Sequence, residues 1–150
     1  MLRPMRAVGL LLSALLLGAC FAPSRLFVTT VKGGLVADDL AVTLEDRTGL
    51  VQAFGPAQPG QFNLLDGVKA DRDPSVLVVS WVGGLCDRTT HLVFAAANGE
   101  YSVTETTERE GACRDAGVRR TVSIGLTSPV DAATVTLFRR PHVPVSSPPV

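Results

Sequence analysis

A chain of 150 residues in which 14 Lys and Arg balance 14 Asp and Glu has no formal charge at neutral pH. It lacks the basic clustering and high pI that mark nucleic-acid binding, so no nucleic-acid partner is expected. Its length suits one domain with a single core, and one Trp, one Tyr, two Met and two His leave little for an aromatic sugar platform or a soft metal site.

Arg3 and Arg6 precede an aliphatic run over residues 7–17 in which only Gly9 and Ser13 interrupt. A positive start followed by a short apolar stretch is the profile of a signal peptide. The run is too short to span a bilayer, which takes about 20 residues. Leucines at 10, 11, 12, 15, 16 and 17 leave no polar face, so an amphipathic surface helix does not fit.

The run ends in Leu17-Gly18-Ala19-Cys20, which resembles the lipobox of bacterial prolipoproteins. That resemblance covers the first 20 residues and implies cleavage between Ala19 and Cys20 with acylation of Cys20, palmitate being one of the chains carried. It also implies an extracytoplasmic domain held to a membrane by its N-terminal lipid, and Phe21 in place of Asp points to the outer membrane in a Gram-negative cell. Ordinary secretory cleavage near Ala19 or Ala22 is the alternative. Processing at Cys20 removes Arg3 and Arg6 and takes the formal charge from zero to −2. With no polybasic patch to help, the lipid alone supplies attachment. The chain then divides into a signal peptide (1–19), a lipidated tether (20–25), one β domain (26–140) and a Pro-rich disordered tail (141–150).

Short apolar and β-branched runs separated by turn residues place strands at 26–31, 40–45, 50–54, 76–82, 90–97, 100–106, 119–126 and 133–139. Many short strands with regular turns give an all-β fold, an antiparallel β-sandwich of immunoglobulin-like architecture, with a small closed β-barrel as the alternative. The segment 76–82, broken only by Ser80, reads as a central strand covered on both faces. Val122, Ile124 and Leu126 alternate with polar or small neighbours, which gives their strand one core face. The stretch 55–74, with Pro56, Pro59, Gly60, Gly67 and Pro74, reads as a packed Ω-like loop, docked through Phe62, Leu64 and Leu65.

Asn98-Gly99 is the clearest local signal, because both positions of a type I′ turn need φ > 0. A two-residue loop there predicts that Ala96 faces Tyr101, Phe94 faces Val103 and Leu92 faces Glu105, with Val93, Ala95, Ser102 and Thr104 on the opposite face. The same register brings Cys86 and Cys113 close at the open end, where a small bulge or splay gives disulfide distance. Once Cys20 carries lipid, these two form an even pair in an exported chain and read as one disulfide, worth about 3.5 kcal/mol in the chain-entropy model. No CxxC spacing favours a redox or metal role instead. Trp81 precedes Cys86, whereas the immunoglobulin pattern sets Trp between its two cysteines, so membership of that family does not follow.

Candidate chemistry is sparse. Ser80, His91 and Asp87 make a triad on paper without a GxSxG context, and His142 lies in the tail. Asp66, Asp71 and Asp73 lack the spacing of a calcium loop, and Asp38 and Asp39 mark a turn. Glu105, Glu108 and Glu110 with Arg109 and Arg114 read as a solvated, charged hairpin end. No catalytic residue, metal or cofactor is assigned, and no enzyme is expected. The sequence reads as a lipid-anchored domain of the cell envelope with a non-catalytic binding or structural role, engaging an envelope protein partner. The alternatives are an inhibitor of a lysozyme or protease acting through 55–74, although the Ser-Gly-x-x-Tyr motif is missing, and a carboxylate-dependent hydrolase using Glu105, Glu108 or Asp87.

Overall fold

A computed structural model describes residues 24–32, 39–58, 66–109, 117–141 and 143–144. Within them lie ten strands: β1 (Arg25–Lys32), β2 (Asp39–Asp46), β3 (Val51–Pro56), β4 (Gly67–Ala70), β5 (Val76–Gly83), β6 (Asp87–Ala97), β7 (Glu100–Arg109), β8 (Val118–Leu126), β9 (Val135–Arg139) and β10 (Val143–Pro144). A 3-10 turn, Ala132–Thr134, leads into β9 and is capped by the Asp131 side chain, which accepts from the Ala133 N–H.

Two sheets form. The first runs β1-β2-β6-β7, with β9 and β10 both along the far edge of β7; the second runs β3-β8-β5-β4. Glu105 pairs with Arg139 and Glu108 with Val143, so one extra residue lies between β9 and β10 and the two continue a single lane. No strand pair joins the sheets among the described residues, which makes the fold an open sandwich and not the closed barrel of the alternative reading.

The all-antiparallel expectation needs correction. β2 pairs with β6 in parallel, as β9 and β10 do with β7. Alternating patterns set a strand's core face but not the direction of its neighbour, which depends on how the connections cross. The Ω-like reading of 55–74 is also corrected in part, since Gly67–Ala70 forms an edge strand antiparallel to β5.

Elsewhere periodicity and turn chemistry translate directly. Asn98 and Gly99 take φ values of 54° and 82°, and Ala96, Phe94 and Leu92 pair with Tyr101, Val103 and Glu105. Their inward face places Phe94 against Tyr101, ring centroids 5.7 Å apart and nearly parallel. Leu77, Val79 and Trp81 of β5 pack with Val122, Ile124 and Leu126 of β8 and with Val42, Leu44, Leu92 and Phe94 of the first sheet. Val78 and Ser80, on the other face of β5, are also fully buried, as the nearly unbroken apolar run requires.

The β2–β3 turn is built on one carboxylate. Asp46, fully buried, accepts from the N–H groups of Thr48 at 2.8 Å, Gly49 at 3.1 Å and Val51 at 3.1 Å and from the Thr48 hydroxyl at 2.7 Å. Buried carboxylates persist when so satisfied.

Candidate functional site

The sandwich interior changes character along its length. From the Asn98-Gly99 turn the inward residues of β6 and β7 are apolar, and beyond Leu92 and Val103 come Thr90, Glu105, Thr107, Arg109 and Asp87. Thr90 and Thr107 hydroxyls lie 3.0 Å apart, and the Thr107 hydroxyl donates to Glu105. Glu105 is 2% exposed, so this member of the expected solvated hairpin end belongs instead to an internal polar cluster, while Glu108 does face solvent.

Arg139 is why Glu105 can be buried. Its Nε donates to Glu105 at 3.0 Å, Nη1 reaches Asp66 at 3.3 Å and Nη2 donates to the Val82 carbonyl at 2.7 Å. Asp66 also accepts from the Val82 N–H at 2.8 Å. One guanidinium thereby ties β9 and β7 to the β4–β5 edge of the other sheet, using the planar fork that suits Arg to such sites.

A second cluster closes the same end. Asp87 accepts from Arg109 Nε at 3.3 Å and from the Gly84 N–H at 2.6 Å, while Arg120 Nη2 lies 3.5 Å from the Gly84 carbonyl. Asp87 points inward because the β6–β7 register shifts between Asp87 and Thr89; strict alternation from Leu92 would turn it outward. Arg120 is 3% exposed, and burial pushes its pKa down against the opposing attraction of Asp87.

The paper triad is dispersed. Ser80 is buried on the outer side of β5, its hydroxyl 3.2 Å from Thr121, Asp87 lies inside the sandwich, and His91 is on the outer face of the first sheet. There His91 Nδ1 lies 2.6 Å from the Thr43 hydroxyl and Nε2 3.7 Å from Glu45, on an open strand surface. The hydrolase carboxylates do not gather either: Glu105 and Asp87 are each committed to a guanidinium, and Glu108 faces solvent, accepting from the Thr89 hydroxyl at 2.7 Å. The calcium candidates are separated in the same way. Asp66 serves Arg139 and Val82, and Asp73 accepts from Ser75, whose hydrogen bonds hold that carboxyl below its ordinary range. No cluster of three His, Cys, Asp or Glu suited to a metal occurs among the described residues.

Beside β4 and the 3-10 turn, a cavity of about 630 Å³ is lined by Val68, Lys69, Pro74, Val130, Asp131 and Ala132, among others. It shares no residue with the arginine clusters. Ala19, Cys20, Cys113, Glu110, Arg114, His142, Asp38 and the loop residues Phe62, Leu64 and Leu65 lie outside the described residues, as does the tail from 145 onward. No described helix is long and apolar enough to cross a membrane.

No motif marks Arg120 and Arg139 as site residues, yet strand parity carries the signal. Arg120 continues the inward series Val122, Ile124, Leu126, and Arg139 continues Val135, Leu137. The chain matches no protein-family model, and comparison with curated proteins and with solved structures returns no match.

Proposed function

We propose that this protein is a lipid-anchored β-sandwich of the bacterial envelope with a non-catalytic binding or structural role. The observation that carries the reading is the order Arg3, Arg6, aliphatic run, Leu17-Gly18-Ala19-Cys20, followed closely by β1 at Arg25. Five residues from Phe21 to Arg25 reach at most about 17 Å, so an acylated Cys20 holds the sandwich near the membrane. The commitment of Asp87 and Glu105 to arginines supports a non-catalytic role, because neither carboxylate is left open to a substrate.

Two finer features belong to the same reading. The two face-packed sheets make an immunoglobulin-like architecture in the broad sense, and Cys86 is bridged to Cys113. Support for the bridge comes from Cys86 not being a free thiol and from its place beside Asp87, the last paired residue of the hairpin.

Intact-mass analysis of envelope-derived protein tests the anchor. The expected product begins at an acylated Cys20, and Cys20→Ala releases the domain from the membrane fraction. A mature chain that starts elsewhere without lipid overturns the anchor. Peptide mapping without reduction should recover Cys86 linked to Cys113, and crosslinking in native envelopes should capture a protein partner.

A further inference from the structure

We propose that Trp81 and Arg120 bind a small monovalent anion of the halide class inside the sandwich. The two residues are direct cross-strand partners on the inward face of the second sheet and are 0% and 3% exposed. Trp81 Nε1, Arg120 Nε and Arg120 Nη1 are buried and have no hydrogen-bond partner among the described residues. Buried donors in native proteins are nearly always satisfied, so three on one adjacent pair require an explanation.

The chemistry of the donors selects the ligand. Neither an indole nor a guanidinium can accept a hydrogen bond, so the complement is an acceptor. A bridging water satisfies the same N–H groups by passing its hydrogens to lone pairs left on Asp87 or the Gly84 carbonyl, which accept from Arg109, Gly84 N–H and Arg120 Nη2, and it is the competing occupant that the titration below separates. A halide accepts several N–H groups and donates none.

Charge points the same way. Arg139 faces two carboxylates, Glu105 and Asp66, and Arg109 is paired with Asp87. Among the described residues no carboxylate hydrogen-bonds Arg120, which feels Asp87 only through space. Its near-complete burial favours a single small ion over a phosphate ester or peptide. This inference does not depend on lipid attachment.

Trp81 is the only tryptophan in the chain, so its fluorescence reports on the site. The full chain in detergent is titrated with bromide or chloride at constant ionic strength, with gluconate as the balancing anion. Expected are saturable quenching by bromide, which chloride competes away, and an apparent affinity at least tenfold weaker in Arg120→Lys. Chloride in place of gluconate should also raise the thermal midpoint of the wild-type chain more than that of the variant. No quenching, or quenching linear in bromide and equal in both proteins, overturns the proposal. If Arg120→Lys does not fold, the wild-type curve decides: saturation supports the site, and the linear behaviour of free N-acetyltryptophanamide removes it.

Discussion

The Asp87 carboxylate occupies the space that a Cβ on Gly83 would need. Gly84 stands in the same relation to Arg109, whose Nη2 lies 2.6 Å from the position of a Cβ there. The pair Gly83-Gly84 is thus what lets a carboxylate and a guanidinium fold in beneath the β5–β6 turn, and neither glycine needs a positive φ to justify it.

Gly83→Ala should therefore destabilise by about 1–3 kcal/mol through overpacking. Gly55→Ala, with nothing near its Cβ position and a φ outside the left-handed region, should stay within about 0.5 kcal/mol of wild type. Urea unfolding of both variants checks the contrast, and equal midpoints would remove the steric account.

Asp87→Asn keeps the shape of the side chain and removes the charge that faces Arg109 and Arg120. Breaking one partner of a buried ion pair costs about 3–5 kcal/mol. Glu105→Gln should cost less, since Arg139 is 37% exposed and keeps Asp66 as a partner. A double-mutant cycle on Glu105 and Arg139 should give a coupling energy above the few tenths of a kcal/mol expected of independent sites.

At the other end of the hairpin, Gly99→Ala should cost about 1–2 kcal/mol because φ is +82°, with no contribution from contacts since nothing lies near its Cβ position. Asn98→Gly should be far milder, as glycine adopts the same left-handed conformation freely. Thermal denaturation of the two variants should order them so.

The dependence on pH at the surface follows from Arg47, which donates to Glu45 from Nε at 2.8 Å and Nη2 at 3.1 Å. This hydrogen-bonded pairing, aided by His91, holds the Glu45 carboxyl below its ordinary value. A carboxyl whose folded value lies below its unfolded one adds stability above the unfolded value, about 4.3, and loses it as pH falls through the folded value. Wild type should therefore be slightly more stable than Glu45→Gln at pH 7, with the gap closing on acidification; unfolding midpoints measured at pH 7 and pH 3 test this.

Much of the fold was legible because strand periodicity and turn chemistry are local. The Asn98-Gly99 turn set the register of β6 on β7, and the unbroken apolar run marked β5 as internal. Parity even placed Glu105, Arg120 and Arg139 on inward faces, but an inward charge reads as an error until its partner is known. Those partners come from other strands: Arg139 reaches Glu105 and Asp66 across 34 and 73 residues of sequence. The fourth strand of the second sheet, Gly67–Ala70, is not legible in the sequence because four residues are too few to show a period.

What the amino-acid order determines alone is the strand segments with their core faces and one hairpin register, consequences of contacts between near neighbours; the lipobox resemblance of Leu17-Gly18-Ala19-Cys20, on which the proposed anchor rests, is likewise a property of the sequence. Strand direction and the polar end of the interior were decided only by tertiary structure. Parallel pairing of β2 with β6 depends on how the chain crosses between sheets, and a shift of register at Asp87 reverses which way its side chain points. A buried charge is stable only where distant partners meet it, so the arginine clusters come into being when the two sheets close.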